Sequence, residues 1–112
     1  MIDTAPKWLD IAEKKIEQGD LIEKSYEGEL DGKWGHLLLS KKKILFVREE
    51  GIIHKSYNLD LDLPYDKIGM ISHKGRFKLE VIEGKGKKYD FKSWEVLAEK
   101  VEEGIDSLAH LR

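Results

Sequence analysis

The feature that most constrains this chain is the order of its segments. From about Leu21 to about Phe91, short stretches of alternating apolar and polar residues follow one another, and one amphipathic stretch from Trp94 to Leu111 closes the run. A sheet with one face to bury, followed by a helix with a single apolar stripe, predicts a small barrel or sandwich plugged by that helix. The expected fold class is therefore mainly β: about seven antiparallel strands capped by a C-terminal α-helix, with an additional N-terminal helix. At 112 residues the chain is expected to be one domain, since it can bury one real core and not two.

The turns divide the strand region. Ser25, Glu27 and Glu29 alternate with Tyr26, Gly28 and Leu30, the pattern of a half-buried strand, and Asp31-Gly32 is a hairpin signal. Trp34 to Ser40 is a second strand, with Lys41-Lys42-Lys43 at the next turn, and Ile44 to Val47 is a third. A fourth is expected over Ile52 to Leu59, a fifth over Tyr65 to Ser72 after the Leu63-Pro64 break, and a sixth around Phe77, Leu79 and Val81. Gly84-Lys85-Gly86 turns the chain into a seventh, in which Tyr89 and Phe91 face inward.

Residues 1–19 are expected to form a helical extension, 21–92 the strands and 93–111 the capping helix. The first helix is predicted over Ala5 to Gln18, with Thr4 as N-cap, Pro6 in the first turn and Gly19 as the stop. Trp8, Ile11, Ala12 and Ile16 fall on one face, which must dock on its own domain, on a second copy or on a partner. In the last helix Ser93 is the expected N-cap and Trp94, Leu97, Ala98, Val101, Ile105 and Leu108 make the apolar stripe. Gly104 interrupts it at a cost of about 1 kcal/mol relative to Ala.

Composition narrows the function classes. There is no cysteine, hence no disulfide framework, thiolate chemistry or zinc–cysteine site, and a cytoplasmic home is expected. No apolar run approaches the roughly 20 residues of a membrane span, and the first residues carry no signal-like stretch. Peripheral attachment to a membrane remains open. The net charge of −2 divides along the chain: residues 1–32 carry 4 basic and 9 acidic side chains, residues 33–92 carry 14 and 8, and residues 93–112 carry 2 and 5. A basic middle between acidic ends is either a positive face for an anionic partner or an unevenly distributed solubilising surface.

The run Gly35-His36-Leu37-Leu38-Leu39-Ser40-Lys41-Lys42-Lys43-Ile44-Leu45-Phe46, then Leu63-Pro64-Tyr65-Asp66-Lys67-Ile68, Ile71-Ser72, Gly75-Arg76-Phe77 and Tyr89-Asp90-Phe91, resembles the pleckstrin-homology-like (PH-like) superfamily. Within it, the GRAM and bacterial PH-like branches are the nearer likeness. The resemblance covers about residues 21–111 and implies a PH-like barrel or sandwich. It also implies a non-enzymatic binding module, for phosphoinositide head groups, other lipids, peptides or proteins. Phosphoinositide-binding members place a Lys, a variable loop and a basic-x-Arg pair around their first hairpin. Lys33, Lys41 and Lys43 match that spacing, with Lys43 in the place of the Arg and so without its bidentate fork.

The candidate anion- or lipid-binding residues are Lys33, Lys41, Lys42 and Lys43. Their alternative role is to blunt a sheet edge and solubilise a turn. Lys85, Lys87 and Lys88 join them only if the turns share one end of the molecule. The candidate protein-interaction residues are Trp8, Ile11 and Ile16, and a protein partner or self-association ranks ahead of a lipid surface. Trp34 beside Lys33 supports a weaker nucleic-acid reading, against which stand a pI near 6.1 and no nucleic-acid motif. His36, His54, His73 and His110 show no metal-ligand spacing, and Asp60, Asp62 and Asp66 lack a calcium-loop pattern. No nucleophile motif or phosphate-cradling loop is present, so no catalytic residue, metal or cofactor is expected.

Overall fold

Turns with glycine, or Asp31, in the left-handed region and alternating apolar residues produce one sheet of seven antiparallel strands in the computed structural model, which describes residues 5–109. The elements are α1 (Lys7–Glu13), β1 (Ile22–Leu30), β2 (Lys33–Ser40), β3 (Lys43–Glu50), β4 (Ser56–Pro64), a 3-10 turn (Tyr65–Lys67), β5 (Ile68–His73), β6 (Lys78–Glu83), β7 (Lys88–Ser93) and α2 (Ala98–Ala109). Their order across the sheet is β4-β3-β2-β1-β7-β6-β5. Successive strands are neighbours except β4 and β5, which lie at opposite edges, and the one pairing that is distant in sequence joins β1 to β7. β1 pairs with β2 along its length and with β7 only through Gly28, Glu29 and Leu30. β4 and β5 are the free edges: among the described residues no ladder joins them, so the sheet is not closed into a barrel.

Where β1 meets β7 the two backbones come unusually close. A Cβ added to Gly28 would lie 2.2 Å from the Lys92 carbonyl oxygen and 2.8 Å from the Phe91 ring. Its cross-strand partner Gly35 is as tight, with the Val47 carbonyl oxygen at 2.1 Å and the Phe46 ring at 2.9 Å. Neither residue has a positive φ, so what the sequence needs there is space. The space is filled by two rings that meet edge to face with centroids 6.2 Å apart. Around them the inner core gathers Leu30, Leu37, Leu39, Ile44, Leu61, Leu63, Leu79, Val81 and Tyr89, closed by Ala98, Val101, Ile105 and Leu108 of α2.

The outer face of β2 and β3 is covered as well. Leu38, Leu45 and Val47 are buried beneath α1, with Ala12 fully buried between them. Strands buried on both faces carry continuous apolar runs, which is why Leu37-Leu38-Leu39 and Ile44-Leu45-Phe46-Val47 do not alternate.

Several boundaries differ from the sequence reading. α1 spans Lys7–Glu13 with Pro6 preceding it as N-cap, whereas Thr4 lies outside the described residues. Beyond Lys14 the chain turns, and Asp20 ties it to the β2–β3 turn: its Oδ1 accepts the Leu21 and Lys41 N–H groups at 2.7 and 2.8 Å. Ile52 and Ile53 stand in a loop rather than in β4, because Gly51 at φ +96° turns the chain out of β3. Trp94 lies in the bend after β7 and not in the last helix, its backbone N–H bonding the Glu27 carbonyl at 3.1 Å. α2 therefore starts at Ala98, Ser93 ends β7 instead of capping a helix, and Trp94 and Leu97 fall outside the buried stripe. The expected end of that helix at Leu111 lies outside the described residues.

Candidate functional site

The basic turn and the connection after β4 share one depression of about 440 Å³, lined by Glu17, Asp20, Lys41–Lys43 and Pro64–Lys67. Local bonds build it. The Ser40 hydroxyl accepts the Lys42 and Lys43 N–H groups at 3.1 and 3.0 Å, closing the turn. The buried Tyr65 hydroxyl donates to the Ser40 carbonyl at 2.6 Å, and burial pushes its ionisation up. Two of the three lysines already have partners: Lys42 Nζ lies 3.1 Å from Glu17 and Lys43 Nζ 3.0 Å from Asp62. The backbone donors are also used, that of Lys41 by Asp20 and those of Lys42 and Lys43 by Ser40, so no nest of free N–H groups faces the depression. Lys67 joins this group. Lys33 does not: it starts β2 while Lys41 follows its end, a separation of roughly 25 Å at about 3.3 Å per residue. Lys85 lines a second depression of about 360 Å³ beside Pro64, Asp66 and Lys67.

Trp8, Ile11 and Ile16 all pack against the outer cluster of their own sheet, Ile16 from the turn after α1. Trp8 stacks on His36 with ring centroids 4.1 Å apart and planes 12° from parallel. His36 Nε2 lies 3.3 Å from Glu49 Oε1, and Lys55 Nζ lies 2.9 Å from Glu49 Oε2. Burial works to raise the Glu49 carboxyl, yet the bonds from Lys55 and His36 outweigh it and hold the group below its ordinary value. His73 and His54 stand apart from this pair, and among the described residues no group of three or more His, Cys, Asp or Glu side chains could hold a metal ion. No helix among them is long and apolar enough to cross a membrane.

Three surfaces escaped the sequence reading. The first is the β5 edge, Ile68-Gly69-Met70-Ile71-Ser72-His73, which has no proline, lysine or carboxylate and leaves Met70 57% exposed. The opposite edge, β4, carries Asp60, Asp62 and Pro64 and lies against α1. At the far end of β5, His73 Nδ1 lies 2.8 Å from Glu102 of α2, a bond that raises the His73 ionisation. Between them His73, Gly75, Arg76, Leu97 and Glu99 line a recess of about 240 Å³. The second is the β3–β4 loop tip, where Ile52 and Ile53 are 94% and 87% exposed. The third is a row of rings, Trp8, His36, Trp34 and Trp94, in which Trp34 and Trp94 stack with centroids 5.8 Å apart.

Comparison with known proteins supports the architecture alone. No family model and no curated protein matches the chain. Among solved structures it is similar to the C-terminal domain of an unknown protein from Leishmania infantum, with a TM-score of 0.60 and 14% identity. That similarity spans 89% of this chain and 88% of the other.

The Glu49 arrangement has a measurable pH signature. A carboxyl held below its unfolded value contributes stability that is fully present at neutral pH and lost as pH falls through the folded value. Urea unfolding between pH 7 and pH 3 should show this loss, and Glu49→Gln should flatten that part of the profile. An unchanged profile in the variant would contradict the ion-pair account.

Proposed function

We propose that this chain is a non-enzymatic protein-binding module of PH-like architecture that takes an extended partner segment as an added strand along β5. The architectural part draws support from a seven-stranded antiparallel meander whose first strand pairs with the last, with a C-terminal helix packed into the concave side. The observation that carries the function is the contrast between the two edges. Edge strands expose unpaired N–H and C=O groups, and chains normally guard them with charge, proline or a covering element. β4 carries Asp60, Asp62 and Pro64, whereas β5 has neither carboxylate, lysine nor proline; each edge also packs against a helix, β4 against α1 and β5 against α2. A segment added to β5 gains main-chain hydrogen bonds along six residues, and the recess beside Leu97 accepts one of its side chains. Two copies pairing β5 to β5 would be self-association by the same route.

A binder selected from a random peptide library tests this reading when titrated into ¹⁵N-labelled protein. The amides of residues 68–73 should shift, and Met70→Lys should weaken binding at least tenfold while leaving the fold intact. Peptides that leave those amides unmoved, or that bind the variant equally well, would contradict it.

A second reading, peripheral contact with a membrane, has its own support in Ile52 and Ile53. Full burial of one such side chain is worth about 1.5–3 kcal/mol, and both stand clear of the protein at a loop tip. Co-sedimentation with neutral and anionic vesicles at low and physiological salt tests it. Wild type should bind, Ile52→Ser/Ile53→Ser should lose binding, and a Lys41, Lys42, Lys43 to Ser variant should retain most of it. Wild type failing to sediment with either vesicle would remove this reading.

A further inference from the structure

The three tryptophans of this chain do not share its core; all lie along the outer side of the sheet. Two of them flank β1. Trp34 stands on β2 opposite Glu29, and Trp94 follows Ser93, the β7 partner of Gly28. Each indole reaches diagonally past its neighbour: Trp34 Nε1–H donates to Glu27 at 3.1 Å and Trp94 Nε1–H donates to Glu29 at 3.0 Å. The rings meet in a near-parallel stack, 10° apart in plane. Both bonds fall on Oε2, and among the described residues Oε1 of each carboxylate accepts no hydrogen bond. Trp94 remains 45% exposed, and α1 covers β3 and β4 rather than this strand.

Aromatic faces bordered by carboxylates attract cations, and a planar guanidinium suits both halves of such a surface: it stacks on an indole and bonds a carboxylate through its edge. Glu27 and Glu29 are two residues apart on one strand, hence about 7 Å apart on one face. The same spacing separates alternate side chains of any extended segment. Three cations border the pair. Lys92 lies opposite Glu29 on β7, and the exposed Arg76 sits beyond Trp94 near the start of α2. Lys33, exposed at the start of β2, precedes Trp34, so a basic segment approaches over the indole faces and the two carboxylates. The charge complementarity is therefore local, carried by the Glu27 and Glu29 carboxylates themselves.

We infer that the Trp34–Trp94 stack with Glu27 and Glu29 is a docking surface for an extended, arginine-bearing segment of a protein partner, with arginines at alternate positions. This surface is separate from the β5 edge, so Met70→Lys should leave it intact and the two proposals fail independently.

The test uses the full chain, ¹⁵N-labelled, titrated with the synthetic peptide Gly-Arg-Ser-Arg-Ser-Arg-Gly at physiological salt. The indole N–H signals of Trp34 and Trp94 should shift, and that of Trp8 should not. Replacing arginine by lysine, or placing the same arginines side by side, should weaken binding at least fivefold. Glu27→Gln/Glu29→Gln keeps an acceptor for each indole while removing both charges, so it should fold normally and weaken binding at least tenfold. Trp94→Leu should do the same through loss of the stacking face. The inference is overturned if the indole signals do not move at millimolar peptide. It is equally overturned if the glutamine variant binds unchanged, or if the block and spaced peptides bind alike, which would mean charge attraction without a site.

Discussion

The close approach of β1 to β7 at Gly28 and of β2 to β3 at Gly35 is the constraint on which the rest of the structure depends. Side chains in a flat sheet point away from adjacent backbones. Here the missing Cβ positions fall within 2.2 Å of carbonyl oxygens on the next strand, a sign of a sharply bent sheet. The bend lets β7 return to β1 and lets Phe46 and Phe91 pack beneath the glycine pair. It creates the concave side that α2 fills. It also leaves β4 and β5 as free edges, and so determines where an added strand has room.

Covering both faces of β2 and β3 follows from the same geometry. The concave face packs on α2, and the convex face would expose Leu38, Leu45 and Val47 without α1. Trp8, Ile11 and Ile16 therefore act within the chain. The unbroken apolar runs Leu37–Leu39 and Ile44–Val47 carried that information: a strand wet on one side alternates, and these do not. Strand count and helix positions were legible because turn residues such as Asp31-Gly32 and Gly84-Lys85-Gly86 punctuate clean alternation. The β1–β7 pairing was not, because it joins residues about sixty positions apart and has no local signature.

The surfaces were harder to read than the fold, for specific reasons. Ile52 and Ile53 resemble the start of a strand by residue type, yet Gly51 carries them out of the sheet. Trp94 and Leu97 continue the helical spacing of Val101 and Ile105, yet the hydrogen bond from Trp94 to Glu27 holds the segment after β7 against β1 and delays the helix. Lys41–Lys43 stand out in the sequence as a basic cluster, and folding gives two of them carboxylate partners. A charge run marks a turn well and predicts its free charge poorly, since the acids that neutralise it come from Glu17 and Asp62, far away along the chain.

The most direct test of the bent-sheet account is the stability of Gly28→Ala and Gly35→Ala by urea unfolding, against Gly86→Ala as a control. A Cβ at Gly86 meets no atom within 4 Å, so that substitution carries only the cost of its φ of +99°, about 1 kcal/mol. At Gly28 and Gly35 the added methyl must move a backbone carbonyl and a core ring, and each variant should lose about 3 kcal/mol or more. Losses in both that are no larger than the control's would contradict the claim that the sheet turns on this glycine pair.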